Sequence, residues 1–263
     1  MAGVLAFTRR GAYSLIVSSP RWNERLLANP HALADKRERV RRMFGDIAGS
    51  YDLNNRIHSL WQDQRWRRRA VRIAEVRPGE TVVDVACGTG DLTLAFSESA
   101  AGRVIGIDYT FPMLPLACRK RPSRGRPVPR FVCGDALCLP LPDGSADIVS
   151  IAFGIRNVAD VSAAAREFRR VLRPGGRLIV LEFALPRHPA LRCLYNAYFR
   201  RVLPLTATLI SGDRNGAYRY LPESVNTFIE PPAMCELLLG AGFRAVRQQS
   251  LTFGVCICYR ADV

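Results

Sequence analysis

The sequence lacks the residue patterns of a metal centre and of a membrane-spanning segment. Its eight cysteines form no Cys-x-x-Cys pair and its three histidines are dispersed, so we expect no metal site. No run approaches the roughly 18 consecutive apolar residues that a transmembrane helix requires. Several cysteines lie in predicted strands as free thiols, which indicates a reducing compartment and hence a cytoplasmic protein.

Acidic residues are also scarce. The chain has 23 Asp and Glu against 38 Lys and Arg, which gives a formal net charge of +15. Fifteen basic and six acidic residues lie within positions 1–72, and a second basic cluster without acids spans 119–130. Such a balance attracts polyanions, either nucleic acid or the anionic face of a membrane. Because most of the basic residues are arginine, an arginine-rich proteome is an equally good explanation.

The order of apolar and charged segments predicts an α/β fold. From residue 82 onward strands alternate with helices, which favours a mostly parallel sheet with helices on both faces. The seven predicted strands, of which the last two form an antiparallel pair, lie at 82–86, 103–108, 129–133, 147–153, 177–183, 243–251 and 253–260. The main predicted helices lie at 35–44, 61–75, 161–172 and 233–239, and a further helix is predicted to begin near residue 111.

The chain is expected to divide into an N-terminal extension at 1–34 and one domain at 35–263. The extension is mildly apolar and contains arginine, which a flexible arm, a targeting segment or a misassigned start would each explain. Residues 51–60 have the Asn and Asp content of a turn-rich loop. A helical insertion at about 188–224, interrupted at Pro204, is expected either to cover a substrate site or to pack on the core.

A nucleotide site is predicted at 82–91, Val-Val-Asp-Val-Ala-Cys-Gly-Thr-Gly-Asp, where a buried strand leads through a glycine-rich turn into a helix. Gly88 and Gly90 let the backbone approach a ligand, and the helix start directs free N–H groups to the same place. Thr93 occupies the third glycine position of the dinucleotide fingerprint, which disfavours a nicotinamide oxidoreductase. Asp108 ends the second strand, where an acid that binds ribose hydroxyls is expected.

These features resemble the class I S-adenosylmethionine methyltransferases, in which the glycine turn meets the amino-acid part of the cofactor. Four further stretches resemble signatures of the ubiquinone/menaquinone biosynthesis C-methyltransferases, and together they extend over about residues 36–260. They are Tyr-Asp-Leu-Asn-Asn at 51–55 with Ser59 and Trp66, Phe-Gly-Ile-Arg-Asn-Val at 153–158, Arg-Val-Leu-Arg-Pro-Gly-Gly-Arg-Leu-Ile-Val-Leu-Glu-Phe at 170–183, and Tyr-Arg-Tyr-Leu-Pro-Glu-Ser at 218–224.

The chain departs from the family pattern at four positions. Asn54, Trp61 and Asp63 stand where Met, Gly and His are usual, and Cys87 stands where Gly or Ala is usual. These departures leave the choice of substrate open.

The resemblance implies a class I methyltransferase fold, which is Rossmann-like, with S-adenosyl-L-methionine as cofactor. The residues expected around the methionine part are Cys87, Gly88, Thr89 and Gly90. Asp108 is expected to bind the ribose, and Asp135 with Ala136 to bind the adenine. A strand-end cap is the alternative role for Asp135.

The family methylates a ring carbon of a prenylated quinol, so the resemblance implies 2-demethylmenaquinol or the corresponding ubiquinone precursor as substrate. We expect Arg156 to stabilise a phenolate or to orient water, and Asn157 to position the ring. Asp52 is the expected base, with His58 as the alternative. The residues expected to bind the quinol are Tyr51, Asn55, His58 and Tyr218. A salt bridge is the alternative role for Arg156.

The basic N-terminal helices would suit peripheral docking on an anionic membrane, where a prenylated quinol resides. A homodimer or a complex with other biosynthetic enzymes stays open. Nucleic acid is not expected as a partner, because the charge is spread over helices without aromatic platforms. The alternative functions are methylation of RNA or of another small molecule, and nucleic-acid binding on the same fold.

Overall fold

The structure, a computed structural model, describes residues 5–6, 14–15, 22–213 and 216–263. Its main feature is a seven-stranded sheet with the strand order β3-β2-β1-β4-β5-β7-β6. The strands are β1 Thr81–Val85, β2 Arg103–Asp108, β3 Arg130–Cys133, β4 Ala146–Ala152, β5 Leu172–Phe183, β6 Ala245–Leu251 and β7 Cys256–Asp262. The first five run parallel, whereas β7 is antiparallel to both β5 and β6. This topology confirms the predicted class of sheet. A separate antiparallel pair joins Leu5–Ala6 to Ser14–Leu15.

Eleven α-helices of the described residues surround this sheet. They are α1 Glu24–Leu27, α2 Lys36–Ile47, α3 Tyr51–His58, α4 Gln62–Ala74, α5 Asp91–Ser97, α6 Leu114–Arg119, α7 Val161–Val171, α8 Pro189–Ala197, α9 Leu203–Ser211, α10 Ala217–Asn226 and α11 Pro231–Gly240. Short 3-10 turns at Ala48–Ser50, Phe111–Met113, Ile155–Asn157 and Thr252–Gly254 and a π-turn at Tyr198–Val202 connect some of them.

The central strands are apolar on both faces because helices cover both. Successive side chains of a strand point to opposite faces. Val82 therefore packs in one cluster with the apolar residues of α4 and α5, whereas Val83 packs in another with those of α7 and α11. Burial of each aliphatic side chain of this kind stabilises the fold by about 1.5–3 kcal/mol. The packing of helices on both faces fixes the carboxyl ends of β1 to β4 along one edge of the sheet.

A third apolar cluster lies beyond that edge, where α2, the π-turn, α9 and α10 pack together. Trp22 is buried in it, with its ring centroid 4.4 Å from that of Tyr220. Residues 22–34, which contain α1, are thus packed on the domain and are not the irregular arm that the sequence suggests. Most of the remaining extension, at 1–21, lies outside the described residues.

One local expectation was wrong. The stretch 51–60 is not a loop, because residues 51–58 form α3. Its Asn and Asp content is typical of turns, but Asn54 is buried and donates its side-chain N–H to the carbonyl of Ser50, one turn earlier. The insertion is interrupted just before Pro204, where the π-turn separates α8 from α9, and Pro204 occupies the first turn of α9, where its missing N–H is not needed.

The stretch 170–183 has a structural role that centres on a buried arginine. Arg177, at 4 % exposure, forms two hydrogen bonds of 2.7 and 3.0 Å with the carboxylate of Glu80, ahead of β1. Its guanidinium also donates to the carbonyls of Ala74 and Glu75 at the end of α4. One side chain therefore joins β5, the turn before β1 and the end of α4.

We expect Arg177→Ala to lower the free energy of unfolding by about 3–5 kcal/mol, because it leaves a largely buried carboxylate without its partner. The matched control is Arg173→Ala, whose guanidinium is 45 % exposed and lies 3.0 Å from Asp147. That change should cost about 1 kcal/mol or less. Urea denaturation of both variants measures the difference, and equal losses would contradict the structural role of Arg177.

Candidate active site

Two cavities open where the sheet order reverses between β1 and β4, the usual place for ligands in open α/β sheets. The first, which we call the sheet-edge cavity, has a volume of about 820 Å³. It is lined by the segments that follow four parallel strands, at 86 and 88, 108–110, 134–137 and 152–154, and by Asn157, Val158 and Ala159. Side chains of α2, chiefly Arg37, Val40, Arg41 and Phe44, cover it from outside the sheet.

The glycine turn forms one wall of this cavity. Gly88 lines it and has φ +56°, a left-handed conformation that glycine adopts without strain. Gly90 has φ +82°, and a Cβ there would lie 3.0 Å from the side chain of Ala117 and 3.1 Å from the ring of Phe131. The site therefore needs glycine at 88 for its conformation, and at 90 for both conformation and space.

Not every expected cofactor residue borders the cavity. Gly88, Asp108, Asp135 and Ala136 line it. Cys87, Thr89 and Gly90 lie outside this lining: the thiol of Cys87 packs over Gly106 of β2, and burial raises the pKa of that thiol.

Asp108 connects β2 to the glycine turn. Its carboxylate accepts hydrogen bonds of 2.7 Å from the backbone N–H groups of Gly88 and Thr110. Burial raises the pKa of Asp108, and these two donors oppose the shift. A carboxylate has about four acceptor positions, so two N–H groups leave capacity for ligand hydroxyls.

Asp135 lines the same cavity, just after β3. Its carboxylate accepts from the backbone N–H of Leu137 at 3.1 Å and lies 2.9 Å from a guanidinium nitrogen of Arg37. The Arg37 guanidinium also stacks over the ring of Tyr109, 4.2 Å from its centroid. Neither Arg37 nor Tyr109 was identified from the sequence, because Arg37 is about 70 residues from Tyr109 and about 100 residues from Asp135 along the chain.

Beneath the glycine turn, Asp84 of β1 is 1 % exposed. Its carboxylate accepts from the hydroxyl of Thr93 in α5 at 2.6 Å and from that of Ser150 in β4 at 2.8 Å. Burial raises the pKa of Asp84 to about 6, and the two hydroxyls oppose this shift. Thr93 thus uses the third glycine position of the fingerprint for a structural hydrogen bond.

The second cavity, which we call the aromatic cavity, has a volume of about 1430 Å³. Most of its wall is apolar or aromatic, and it includes Trp66, Phe183, Tyr195, Tyr198, Phe199, Leu203 and Tyr220. Phe44, Tyr51 and Phe153 line both cavities, so the two adjoin at these three side chains. A large aromatic cavity beside one that carries the carboxylates of Asp108 and Asp135 is suited to two different ligands that meet at the junction.

The residues expected around the quinol come together in this second cavity. Tyr51, Asn55, His58 and Tyr218 all line it. Both ring nitrogens of His58 are hydrogen-bonded at 2.8 Å, one to the carbonyl of Asn54 and the other to the hydroxyl of Thr206.

Arg156 also lines the aromatic cavity, and it is 3 % exposed. Its guanidinium donates to the carboxylate of Glu182 in β5 and to the carbonyl of Phe153, both at 2.7 Å. The charge of Arg156 is therefore compensated. Asn157 lines the sheet-edge cavity, and its side-chain oxygen accepts from the hydroxyl of Tyr220 at 2.8 Å.

Asp52, the expected base, contacts other side chains of the protein instead of a cavity. It is outside the lining of both cavities, and its carboxylate lies 2.7 Å from the ammonium of Lys120 and accepts from the hydroxyl of Thr89. Lys120 also pairs with Asp91 at the start of α5. Asp52 therefore connects α3 to the glycine turn, because it follows Tyr51 on the side of the helix that faces away from the aromatic cavity.

Comparison with known proteins agrees with this geometry. A model of the ubiE/COQ5 methyltransferase family matches residues 32–262. The chain belongs to the ubiE/COQ5 methyltransferase family. It is 51% identical over 221 residues to a protein of Thermus thermophilus named demethylmenaquinone methyltransferase, a match that covers 84% of this chain and 99% of the relative. It is 40% identical to a Geobacter sulfurreducens protein named ubiquinone/menaquinone biosynthesis C-methyltransferase UbiE, with coverages of 88% and 91%.

Solved structures support the fold of this ubiE/COQ5 family member. A SAM-dependent methyltransferase of Thermotoga maritima is 20% identical with a TM-score of 0.58, and the match covers 84% of this chain and 98% of that one. A SAM-dependent methyltransferase of Aquifex aeolicus is 19% identical with a TM-score of 0.53, with coverages of 75% and 89%. The predicted class I methyltransferase fold and the family resemblance are both confirmed, and the methyltransferase prediction is favoured over nucleic-acid binding.

The raised pKa of Asp84 predicts how stability depends on pH. The folded protein holds the proton up to about pH 6, whereas the unfolded chain releases it near 3.8. Stability should therefore fall as pH rises from about 4 to 7, by roughly 2–3 kcal/mol from this group at about 1.4 kcal/mol per pKa unit. Asp84→Asn, which cannot ionise, should lose that slope in urea denaturation. Parallel curves for the variant and the unaltered protein would contradict the assignment.

Proposed function

We propose that this chain transfers the methyl group of S-adenosyl-L-methionine to a ring carbon of a prenylated quinol, with 2-demethylmenaquinol as the substrate and menaquinol as the product. The observation that carries the proposal is the junction at Phe44, Tyr51 and Phe153, where the sheet-edge cavity, which carries the carboxylates of two aspartates, opens beside a large aromatic one. The names of the curated relatives support the choice of acceptor.

The sheet-edge cavity fits the cofactor. Gly88 leaves open space on its ligand side, since a Cβ there would meet nothing within 4 Å. Asp108 keeps acceptor capacity for the ribose hydroxyls, and Asp135 is placed to accept from the adenine amino group. The basic side chains of α2, Arg37 and Arg41, complete the cover. When bound, the cofactor supplies an activated methyl group on a sulfonium.

The aromatic cavity fits a prenylated ring. Its aromatic side chains offer edges and faces for stacking on a bicyclic ring, and its volume leaves room for part of an isoprenoid tail. The transfer forms a bond between the methyl carbon and a ring carbon, breaks the carbon–sulfur bond, and releases the ring proton. Holding the two reacting carbons together at the junction can itself contribute roughly 7–11 kcal/mol to the lowering of the barrier.

Arg156 and Asn157 are proposed to keep the wall of the junction in place. Glu182 neutralises the Arg156 guanidinium, so we assign Arg156 to orienting a water or hydroxyl at the cavity wall, and Asn157 to positioning. No base is assigned to Asp52, because Lys120 and Thr89 engage its carboxylate.

A membrane surface is the proposed source of the prenylated substrate. Within the described part of the chain, no helix has the length and apolarity needed to span a bilayer. An apolar rim instead lies beside the aromatic cavity, and its members are Leu53, Ile57, Leu60, Trp61, Leu205 and Leu209. Leu60 both lines the cavity and is 78% exposed, while Leu209 of α9 is 84% exposed.

The rim belongs to one surface, because the hydrogen bond between His58 and Thr206 holds α9 against α3. Three exposed arginines are close to the rim residues in the sequence. Arg65 and Arg68 lie on α4, and Arg201 lies just before α9. Apolar side chains beside basic ones are typical of peripheral docking on anionic lipid. Formation of a homodimer or of a complex with other enzymes stays a prediction.

The test of the reaction is an assay with purified protein, S-adenosyl-L-methionine and chemically reduced demethylmenaquinone, with the product identified by mass spectrometry. We expect a product that carries one additional methyl group.

Asp108→Ala should lose most of the affinity for the cofactor in calorimetry, because it removes the ribose acceptor and the anchor of Gly88. Absence of cofactor binding by the unaltered protein would reject the methyltransferase proposal, and binding without transfer would reject the acceptor.

The membrane proposal is tested by sedimentation with vesicles of phosphatidylcholine that contain phosphatidylglycerol. We expect Leu205→Asp/Leu209→Asp to lower the bound fraction several-fold, because both changes place charge on the apolar rim. The control is Leu239→Asp, a half-exposed position on α11 on a different face. Equal binding of the rim variant and the control would reject this docking face.

A further inference from the structure

Arg67 of α4 is a buried charge whose hydrogen-bonding capacity the described part of the chain leaves incompletely used. Its side chain is 8% exposed and lines the aromatic cavity. Its Nε is buried without a hydrogen-bond partner, and the nearest carboxylate oxygen, on Asp63, is 3.9 Å away, beyond hydrogen-bond distance. A buried guanidinium in this condition costs several kcal/mol unless something else binds it.

The position of Arg67 places it beside the reaction centre. Its guanidinium carbon lies 5.2 Å above the ring centroid of Phe153, one of the three residues that line both cavities. The ring of a substrate that reaches the cofactor must pass the same residue. The guanidinium therefore faces the place where the reacting part of the acceptor lies under the proposed function.

The other charges of the aromatic cavity are already satisfied. Arg156 is paired with Glu182 at 2.7 Å. The carboxylate of Asp63 accepts from the hydroxyl of Ser59 at 3.0 Å and from the amide of Gln64 at 2.9 Å.

The uncharged titratable groups of the cavity do not supply an anion either. Both nitrogens of His58 are hydrogen-bonded. Burial raises the pKa of Tyr51, Tyr195, Tyr218 and Tyr220 above the ordinary value, so these phenols keep their protons. Among the described residues that line the cavity, only Asp63 offers Arg67 an anion, and at 3.9 Å it leaves the Nε–H of Arg67 without a hydrogen-bond acceptor that a ligand oxygen can supply.

We propose that Arg67 binds a ring oxygen of the methyl acceptor and stabilises the phenolate from which the ring carbon attacks. The inference rests on the proposed function, and it adds the group that binds the reacting ring. The hydroxyl proton leaves to solvent, and the charge on the oxygen flows into the ring as the carbon–carbon bond forms and the carbon–sulfur bond of the cofactor breaks. The ring proton then leaves to solvent, which restores the aromatic ring as a phenolate, and the oxygen takes a proton back from solvent to give the methylated quinol.

The test compares Arg67→Met and Arg67→Lys with a control, Arg72→Met, which removes an exposed arginine of the same helix. We expect Arg67→Met to lower kcat on demethylmenaquinol by about 100-fold or more, as removal of one preorganised donor does elsewhere. Arg67→Lys should recover part of the activity, and Arg72→Met should retain it. The calorimetric Kd for the cofactor should be unchanged in all three.

A second measurement does not depend on turnover and uses 1-naphthol as the probe. A cation beside the bound hydroxyl favours ionisation, so naphthol on the unaltered protein should convert to naphtholate at lower pH than free naphthol, as followed by absorbance. Arg67→Met should abolish this shift. Arg67→Met also leaves the buried carboxylate of Asp63 without its ion-pair partner 3.9 Å away, so its melting temperature should fall, whereas Arg67→Lys should keep the ion pair and melt close to the unaltered protein.

The outcomes separate the two proposals. If Arg67→Met keeps its turnover and the naphthol shift, the role of Arg67 is rejected while the methyltransferase proposal stands. If Asp63→Asn, which breaks the same ion pair but keeps the guanidinium, lost turnover and the naphthol shift to the same extent, the arginine would act through the fold and the inference would also be rejected. If the unaltered protein neither binds naphthol nor methylates the quinol, the proposed function itself fails.

Discussion

The site depends on one buried carboxylate, that of Asp84, at the point where the sheet order reverses. Its hydrogen bonds to Thr93 and Ser150 join β1, α5 and β4, and these are the elements between which the glycine turn projects. If the three elements were free to shift, the backbone N–H of Gly88 would not meet Asp108, and the wall of the sheet-edge cavity would open. Burial of an acid in this position costs stability, as its raised pKa indicates, and the gain is a fixed turn.

A second set of contacts encloses the carboxyl edge of the sheet, which would otherwise be open to water. Helix α3 connects the two cavities, because adjacent residues of this helix contact both the aromatic cavity and the glycine turn. Tyr51 lines the two cavities, while Asp52 holds the glycine turn through Thr89 and Lys120. The helix that shapes the aromatic cavity is therefore connected to the turn at the cofactor side. This explains why Asp52 belongs to a recognisable motif without facing the substrate.

The parallel sheet and the glycine turn could be predicted from the sequence, because short apolar runs and glycine spacing are local signals. Asp108 and Asp135 could be predicted for the same reason, since each ends or follows a strand. What was missed depends on contacts between distant segments. Arg37 reaches Asp135 from almost 100 residues away, and Arg67 stands in an arginine-rich helix whose pattern alone is typical of a solvated surface. Only the packing of α4 on the sheet buries that one arginine.

The electrostatics of the aromatic cavity also bear on the oxidation state of the ring it uses. A guanidinium has only donors, so Arg67 can bind the carbonyl oxygen of a quinone as well as the oxygen of a quinol. A quinone ring is electron-poor and does not attack a sulfonium methyl group, whereas a phenolate ring does. The attraction of the guanidinium for a full negative charge exceeds that for a neutral carbonyl. Under the role proposed for Arg67, selection of the reduced ring arises in the transition state, where the guanidinium meets the negative charge of the phenolate.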